Sequence, residues 1–99
     1  MSHFVRAAVL AAMLALAACQ SAPVQEMSDA RQAIYAAREV VDASASELSQ
    51  ERFARASELM QAAETRLRDG DFGEARQLAM SAKLLAIEAR EQVIGDTAN

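Results

Sequence analysis

The chain has 99 residues, a formal net charge of −4 at pH 7 and a hydrophobic content of 53%, with only 4% aromatic residues. An acidic chain without a basic patch is poorly suited to bind nucleic acid or to dock electrostatically on anionic lipid. Its single cysteine excludes an internal disulfide bond, and its length leaves room for one small domain.

Residues 1–18 have the composition of a cleaved secretory signal peptide. Arg6 gives the segment a positive start, and an uncharged apolar run over residues 7–18 follows it. Because a bilayer span needs about 20 apolar residues, this run is too short for a permanent membrane anchor. The competing interpretation is a buried alanine-rich helix with an incidental, inert cysteine. The flanking arginine and the small residues before the cysteine favour the signal peptide.

The apolar run ends in the sequence Leu16-Ala17-Ala18-Cys19, which resembles the lipobox of bacterial lipoproteins. The resemblance implies that a signal peptidase recognises Leu16, Ala17 and Ala18 and cuts before Cys19. Cys19 would then carry a diacylglycerol and an N-acyl chain, which suffice for stable anchoring, and no other cofactor is expected. The next residue is Gln20, not the aspartate that retains enterobacterial lipoproteins in the inner membrane. The resemblance therefore implies the periplasmic face of the outer membrane.

After the lipobox, the polar residues 19–26 contain the only proline and predict a flexible, lipidated tether. A helical region is predicted over residues 27–95, followed by a frayed tail at 96–99. Within it, apolar positions step by 3, 4, 3, 4, which places them along one seam of each helix. The predicted helices cover residues 28–43, 46–69 and 72–94. Their seams are Met27, Ala30, Ile34, Ala37 and Val41; Phe53, Ala56, Met60, Ala63 and Leu67; and Phe72, Ala75, Ala79, Ala82, Ala86, Ala89 and Val93.

The helix ends are predicted from capping residues. Ser28 and Ser44 are candidate N-caps, Gly70 suits a left-handed turn between the second and third helices, and Gly95 suits a helix stop. The predicted fold class is all-α. We expect a tight, antiparallel αα-hairpin around Gly70, similar to a tetratricopeptide hairpin, with the first helix packed across it to complete a small three-helix bundle.

Several large apolar residues of the last helix lie outside its alanine seam. Met80, Leu84 and Ile87 occupy one flank of that seam, and Leu78 and Leu85 occupy the other. One interpretation makes the first flank a site for self-association or for a partner helix. The other interpretation is that the first helix covers this flank. The sequence pattern alone does not choose between them.

The sequence argues against catalysis and metal binding. Beyond the predicted signal peptide there is no histidine, and lipidation would consume the only thiol. A Ser-His or Cys-His pair is therefore impossible, and His/Cys metal ligation is absent. There is also no glycine loop of the phosphate-binding kind. We expect a protein that is not an enzyme and has no metal and no small-molecule substrate.

Two stretches, residues 26–34 and 70–79, together resemble a family of small, alanine-rich bacterial envelope lipoproteins known as a domain of unknown function (DUF-4398 type). The resemblance covers nearly all of the chain after the signal and implies no catalytic residues. We expect an outer-membrane-anchored periplasmic lipoprotein that serves as a structural or adaptor module and binds another envelope protein or itself. The alternative is a pilotin-like or carrier accessory protein of an envelope transport or secretion system, which would need a concave apolar groove.

Overall fold

The computed structural model describes residues 3–10 and 21–98, and within these residues it contains helices and turns but no strand. The all-α class predicted from the sequence is confirmed. Residues 3–10 are helical and are called α1. The body consists of α2 (Val24–Arg38), α3 (Glu47–Arg68) and α4 (Phe72–Ala98).

The predicted seams form the core of the body. Their inner positions are all buried, and the end positions are half-buried except Met27, which is buried too. The buried set consists of Met27, Ala30, Ile34, Ala37, Ala56, Met60, Ala63, Ala75, Ala79, Ala82, Ala86 and Ala89. The side chains that α4 buries are all alanines. Alanines at a helix contact let the neighbouring backbones approach closely, so large residues of one helix fit against small ones of the next.

Helices α3 and α4 run antiparallel and share the most extensive helix contact of the body. Two ion pairs fix their register. Arg66 Nε lies 3.6 Å from Glu74 Oε2 near the connecting turn, and Arg52 Nε lies 3.9 Å from Glu88 Oε2 farther along. From the first ion pair to the second, the residue number falls by 14 on α3 and rises by 14 on α4. This is expected for an antiparallel pair with a short connection.

Helix α2 packs mainly against α4 and runs parallel to it, with much less contact to α3. Again two ion pairs define the direction. Glu26 Oε1 lies 3.1 Å from Arg76 Nε. One turn later on α2 and two turns later on α4, Asp29 Oδ2 lies 3.8 Å from Lys83 Nζ. Helix α4 is the helix that both α2 and α3 contact most extensively.

The turn between α3 and α4 closes as predicted at Gly70. This residue has a φ of +78°, and its N–H donates to the carbonyl of Leu67 at 3.1 Å. The N–H of Asp71 donates to the carbonyl of Arg66 at 2.9 Å. These two bonds form a complete Schellman motif, which requires a left-handed residue at the position that Gly70 occupies.

The predicted start of the first body helix is wrong. Helix α2 begins at Val24, after Pro23. The prediction placed its start at about residue 28, with Ser28 as the N-cap. Pro23 has a φ of −81°, close to the helical value, and proline is well tolerated where a helix starts because its missing N–H would have no helical partner there. Residues 24–26 of the predicted tether are thus helical.

The end of α2 and the start of α3 also differ from the prediction. Helix α2 ends at Arg38 and not at residue 43, and the N-cap of α3 is Ser46, whose Oγ accepts from the N–H of Ser49 at 3.2 Å. Ser44 instead donates its N–H and its hydroxyl to Asp42 Oδ1, at 2.9 and 2.5 Å. Such local side-chain bonds compete with helix formation, so this stretch becomes a turn.

At the other end of the body, α4 passes through Gly95 and continues to Ala98. The predicted helix end at residue 94 and most of the predicted frayed tail at 96–99 are therefore wrong, and Asn99 lies outside the described residues. A glycine within a helix costs only about 1 kcal/mol relative to alanine, so one glycine near an exposed end does not stop the helix.

Candidate functional site

The residues predicted to carry the membrane anchor lie outside the described part of the chain. They are Leu16, Ala17, Ala18, Cys19 and Gln20. The first described residue on the body side is Ser21, two positions after Cys19. Among the described helices, none combines the length and the apolar character that crossing a membrane requires.

The segment that follows this position is held against the body, contrary to the predicted flexible tether. The backbone carbonyl of Ser21 accepts a hydrogen bond from Arg76 Nη2 at 3.0 Å, and Pro23 is fully buried. Two backbone bonds order the entry into α2: Val24 N–H donates to the Ala22 carbonyl at 2.9 Å, and Met27 N–H donates to the Pro23 carbonyl at 3.0 Å. The described part of the predicted tether is therefore a docked segment.

Arg76 joins this segment to the start of α4 through two contacts. Its Nη2 reaches Ser21, and its Nε donates to Glu26 Oε1 at 3.1 Å. The two side chains of the ion pair are 29% and 34% exposed, which makes it the most sheltered ion pair among the described residues. Charge-assisted hydrogen bonds in partly sheltered positions are stronger than exposed surface pairs. Arg76 thus fixes residues 21–26 to the N-terminal end of α4.

The flank of α4 that was predicted as a candidate interface remains largely open to solvent. Met80 is 53% exposed, Leu84 is 61% exposed and Ile87 is half-buried. Leu78 and Leu85, on the other flank, are half-buried and pack against the core. We call Met80, Leu84 and Ile87 the α4 strip.

The α4 strip is open because α2 packs beside it and not over it. Lys83, between Met80 and Leu84 in sequence, points toward α2 and pairs with Asp29. Around the axis of α4, the residues of the α4 strip lie farther from α2 than Lys83 does. Helix α2 therefore contacts only the edge of the α4 strip. The interpretation that the first body helix covers this flank is therefore wrong for Met80 and Leu84.

A second surface feature, which the sequence analysis missed, lies between α2 and α3. Tyr35 is 58% exposed there, and the guanidinium carbon of Arg38 lies 5.5 Å from the centre of its ring, a cation–π contact. The depression beside them has a volume of about 190 Å³, below the roughly 300–1,000 Å³ of small-molecule pockets. It is lined by Arg31, Ile34, Tyr35, Arg38, Ser57, Met60, Gln61 and Glu64. Periodicity could not reveal it because it forms between two helices.

The electrostatics of the described residues are those of a solvated helical surface. The pKa of the Asp42 carboxyl group is lowered, first because the Ser44 hydroxyl donates to it and second because the Ser44 N–H does. This carboxylate is exposed and belongs to the α2–α3 turn. Residues 3–10 and 21–98 contain no group of three or more histidine, cysteine or acidic side chains placed to hold a metal ion.

Comparison with known proteins adds no relative to this picture. The chain matches no protein-family model, no curated protein sequence and no solved structure.

Proposed function

We propose that this protein is a lipid-anchored, non-catalytic helical module on the periplasmic face of the outer membrane, where it serves as a structural or adaptor protein. The observation that carries the proposal is the sequence Leu16-Ala17-Ala18-Cys19 behind a short apolar run, with Gln20 next to it. A run of this length suits a cleaved signal better than a span. Lipid on Cys19 would then attach the chain to the membrane.

The shape of the module is part of this proposal. We infer that α2, α3 and α4 form a small antiparallel three-helix bundle built on a tetratricopeptide-like hairpin at Gly70. The support consists of the shared alanine seams, the Schellman turn and the cross-helix ion pairs. Membership in the envelope lipoprotein family that residues 26–34 and 70–79 resemble is likewise proposed.

The α4 strip is the proposed binding surface for another envelope protein or for a second copy of the chain. Two large apolar side chains, Met80 and Leu84, are more than half exposed on one helix face, with Lys83 and the acidic Asp29 at the rim. Apolar side chains spaced i and i+4 are the usual anchors of helix-to-helix recognition. The alternative, a pilotin-like or carrier protein, has less support because the depression between α2 and α3 is smaller than a small-molecule pocket and is lined by polar and charged side chains as well as apolar ones.

Lipidation is tested by metabolic labelling with radioactive palmitate and by the mass of the purified chain. We expect the unsubstituted protein to incorporate label and to lose residues 1–18, and we expect Cys19→Ser to incorporate none and to keep its leader. Gln20→Asp should still be labelled but should move to the inner-membrane fraction. A wild-type chain that incorporates no label would refute the anchor.

The binding surface is tested by photo-crosslinking in living cells. A photoreactive residue at Leu84 should give a discrete product that contains either one identified envelope protein or a second copy of the chain. The matched control is Glu58, which is well exposed on α3 outside the α4 strip. The same products from both positions, or none from Leu84, would contradict the proposed interface.

A further inference from the structure

We infer that Arg76 holds the body in one orientation on the lipid surface, with the end formed by Ser21, the α3–α4 turn and the start of α4 next to the bilayer. This inference rests on the proposed acylation of Cys19 and goes beyond it. Acylation alone would leave the body free to rotate relative to the membrane. The docking of residues 21–26 restricts this rotation, because it leaves only a very short stretch of chain between the lipid and the body.

The maximum distance between the lipidated residue and the body follows from chain geometry. Two residues of fully extended chain span at most about 7 Å, so Ser21 must lie within about 7 Å of the Cα of an acylated Cys19. Ser21 is itself bound to Arg76, and Pro23 is buried two residues later. The body therefore has no long flexible stalk, and its anchored end is the one that carries the N-terminus of α4.

The rest of the body is expected to project away from the membrane. An amphipathic helix that lies flat on lipid needs a large apolar face and, typically, a basic polar face. The α4 strip is instead followed on the same side by Glu88 and Glu91, one turn after Leu84 and Ile87. Together with the net charge, which goes from −4 to −5 when Arg6 is removed with the signal, these carboxylates oppose a flat arrangement.

This orientation also limits where a partner can bind. Met80 and Leu84 lie four and eight residues after Arg76, about 6 and 12 Å along α4 at 1.5 Å per residue. Adding the reach of residues 19–21 places Met80 and Leu84 within about 20 Å of the lipid surface. The surface is therefore suited to the membrane-proximal part of another envelope protein, or to a second copy anchored in the same membrane.

Two glycines of α4 provide matched labelling positions for a test. Gly73 and Gly95 are both exposed, and an added side chain at either position would meet no neighbouring atom within 4 Å. They are 22 residues apart, about 33 Å along the helix. Gly73→Cys and Gly95→Cys chains, acylated on Cys19, are labelled with a fluorophore and bound to phosphatidylcholine vesicles that contain a headgroup-attached quencher.

We expect at least threefold stronger quenching from residue 73 than from residue 95. Arg76→Met should reduce this ratio at least twofold, because it removes the bonds to Ser21 and Glu26. Lys83→Met is the matched control: it also removes an α4–α2 ion pair, but it leaves the docked segment intact and should keep the ratio. Helix content is checked by circular dichroism in each variant.

A second variant covers the case in which Arg76→Met unfolds the body. Inserting five Gly/Ser residues after Gln20 adds about 17 Å of reach without touching the body, and it should lower the quenching at residue 73 at least twofold. Equal quenching at residues 73 and 95 in acylated, vesicle-bound protein would overturn the orientation and leave the lipid anchor standing. A chain that is not acylated would overturn both.

Discussion

Replacing Met60 with alanine should destabilise the body far more than the same replacement at Met80. Met60 is 6% exposed and belongs to the core, whereas Met80 is 53% exposed on the α4 strip. Truncating a buried methionine costs about 2–5 kcal/mol, and exposed substitutions are usually within about 0.5 kcal/mol of neutral. The cost at Met60 should lie in the upper part of that range, because the buried residues of α4 are alanines and have no rotamers that could fill the cavity.

The prediction is measured by thermal unfolding followed at 222 nm. For a body of this size, 1 kcal/mol corresponds to about 4–8 °C in Tm. Met60→Ala should lower Tm by about 14 °C or more, because a cost of about 3.5–5 kcal/mol is comparable to the whole of the roughly 3–5 kcal/mol that a small core provides. Met80→Ala should change Tm by less than about 4 °C.

The outcome that would refute this reasoning is an equal loss at the two positions. If that loss also depended on protein concentration, Met80 would be buried in a self-associated form, and the α4 strip would not be open in solution. If it were independent of concentration, the packing of α4 described above would be wrong.

Further predictions concern the turns and the helix ends. Gly70→Ala should cost about 1–2 kcal/mol because the residue must keep a positive φ, whereas Gly95→Ala should stabilise the helix by about 0.5–1 kcal/mol, both read from thermal unfolding. Ser46→Ala should cost about 1 kcal/mol by removing the N-cap of α3; a loss below about 0.3 kcal/mol would contradict that role. Ser44→Ala should raise the pKa of Asp42 toward its usual value in an NMR titration. Because the folded pKa of Asp42 is lowered, its stabilising effect is present above the ordinary aspartate pKa and is lost as the pH falls through the folded pKa. Ser44→Ala should reduce this pH dependence, and the backbone N–H at position 44 should maintain the rest of it.

The helical seams were predictable because they depend only on local spacing. A run of apolar positions at steps of 3 and 4 must lie on one helix face, and a helix of this length must bury that face to be stable. The Gly70 turn was equally readable, since only glycine adopts its backbone conformation without cost. These features need no knowledge of which helix packs on which.

The features that the sequence did not reveal depend on contacts between distant residues. The docked entry segment needs Arg76, which is 50 residues after Glu26 and 55 after Ser21. Without that contact, residues 19–26 look like any polar stalk with a proline. The openness of the α4 strip likewise depends on where α2 settles around α4, and periodicity within α4 cannot determine this. At the α3 start, Ser44 and Ser46 are both acceptable caps, and the bond from Ser44 to Asp42 decides between them.

The alanine seams also constrain where this protein can bind anything. Helices that meet through alanines approach so closely that the described body has no large interior groove, and opening one would expose most of its small core. Recognition must therefore use outer faces. On α4, the two outer features that matter are the end held by Arg76 and the exposed residues Met80 and Leu84 of the α4 strip. They are separated by at most about 12 Å along one helix. The proposed lipid anchor next to the end held by Arg76 would thus determine how far from the membrane a partner contacts Met80 and Leu84. Removing the Arg76 contact should therefore weaken the binding of such a partner without changing any residue of the α4 strip.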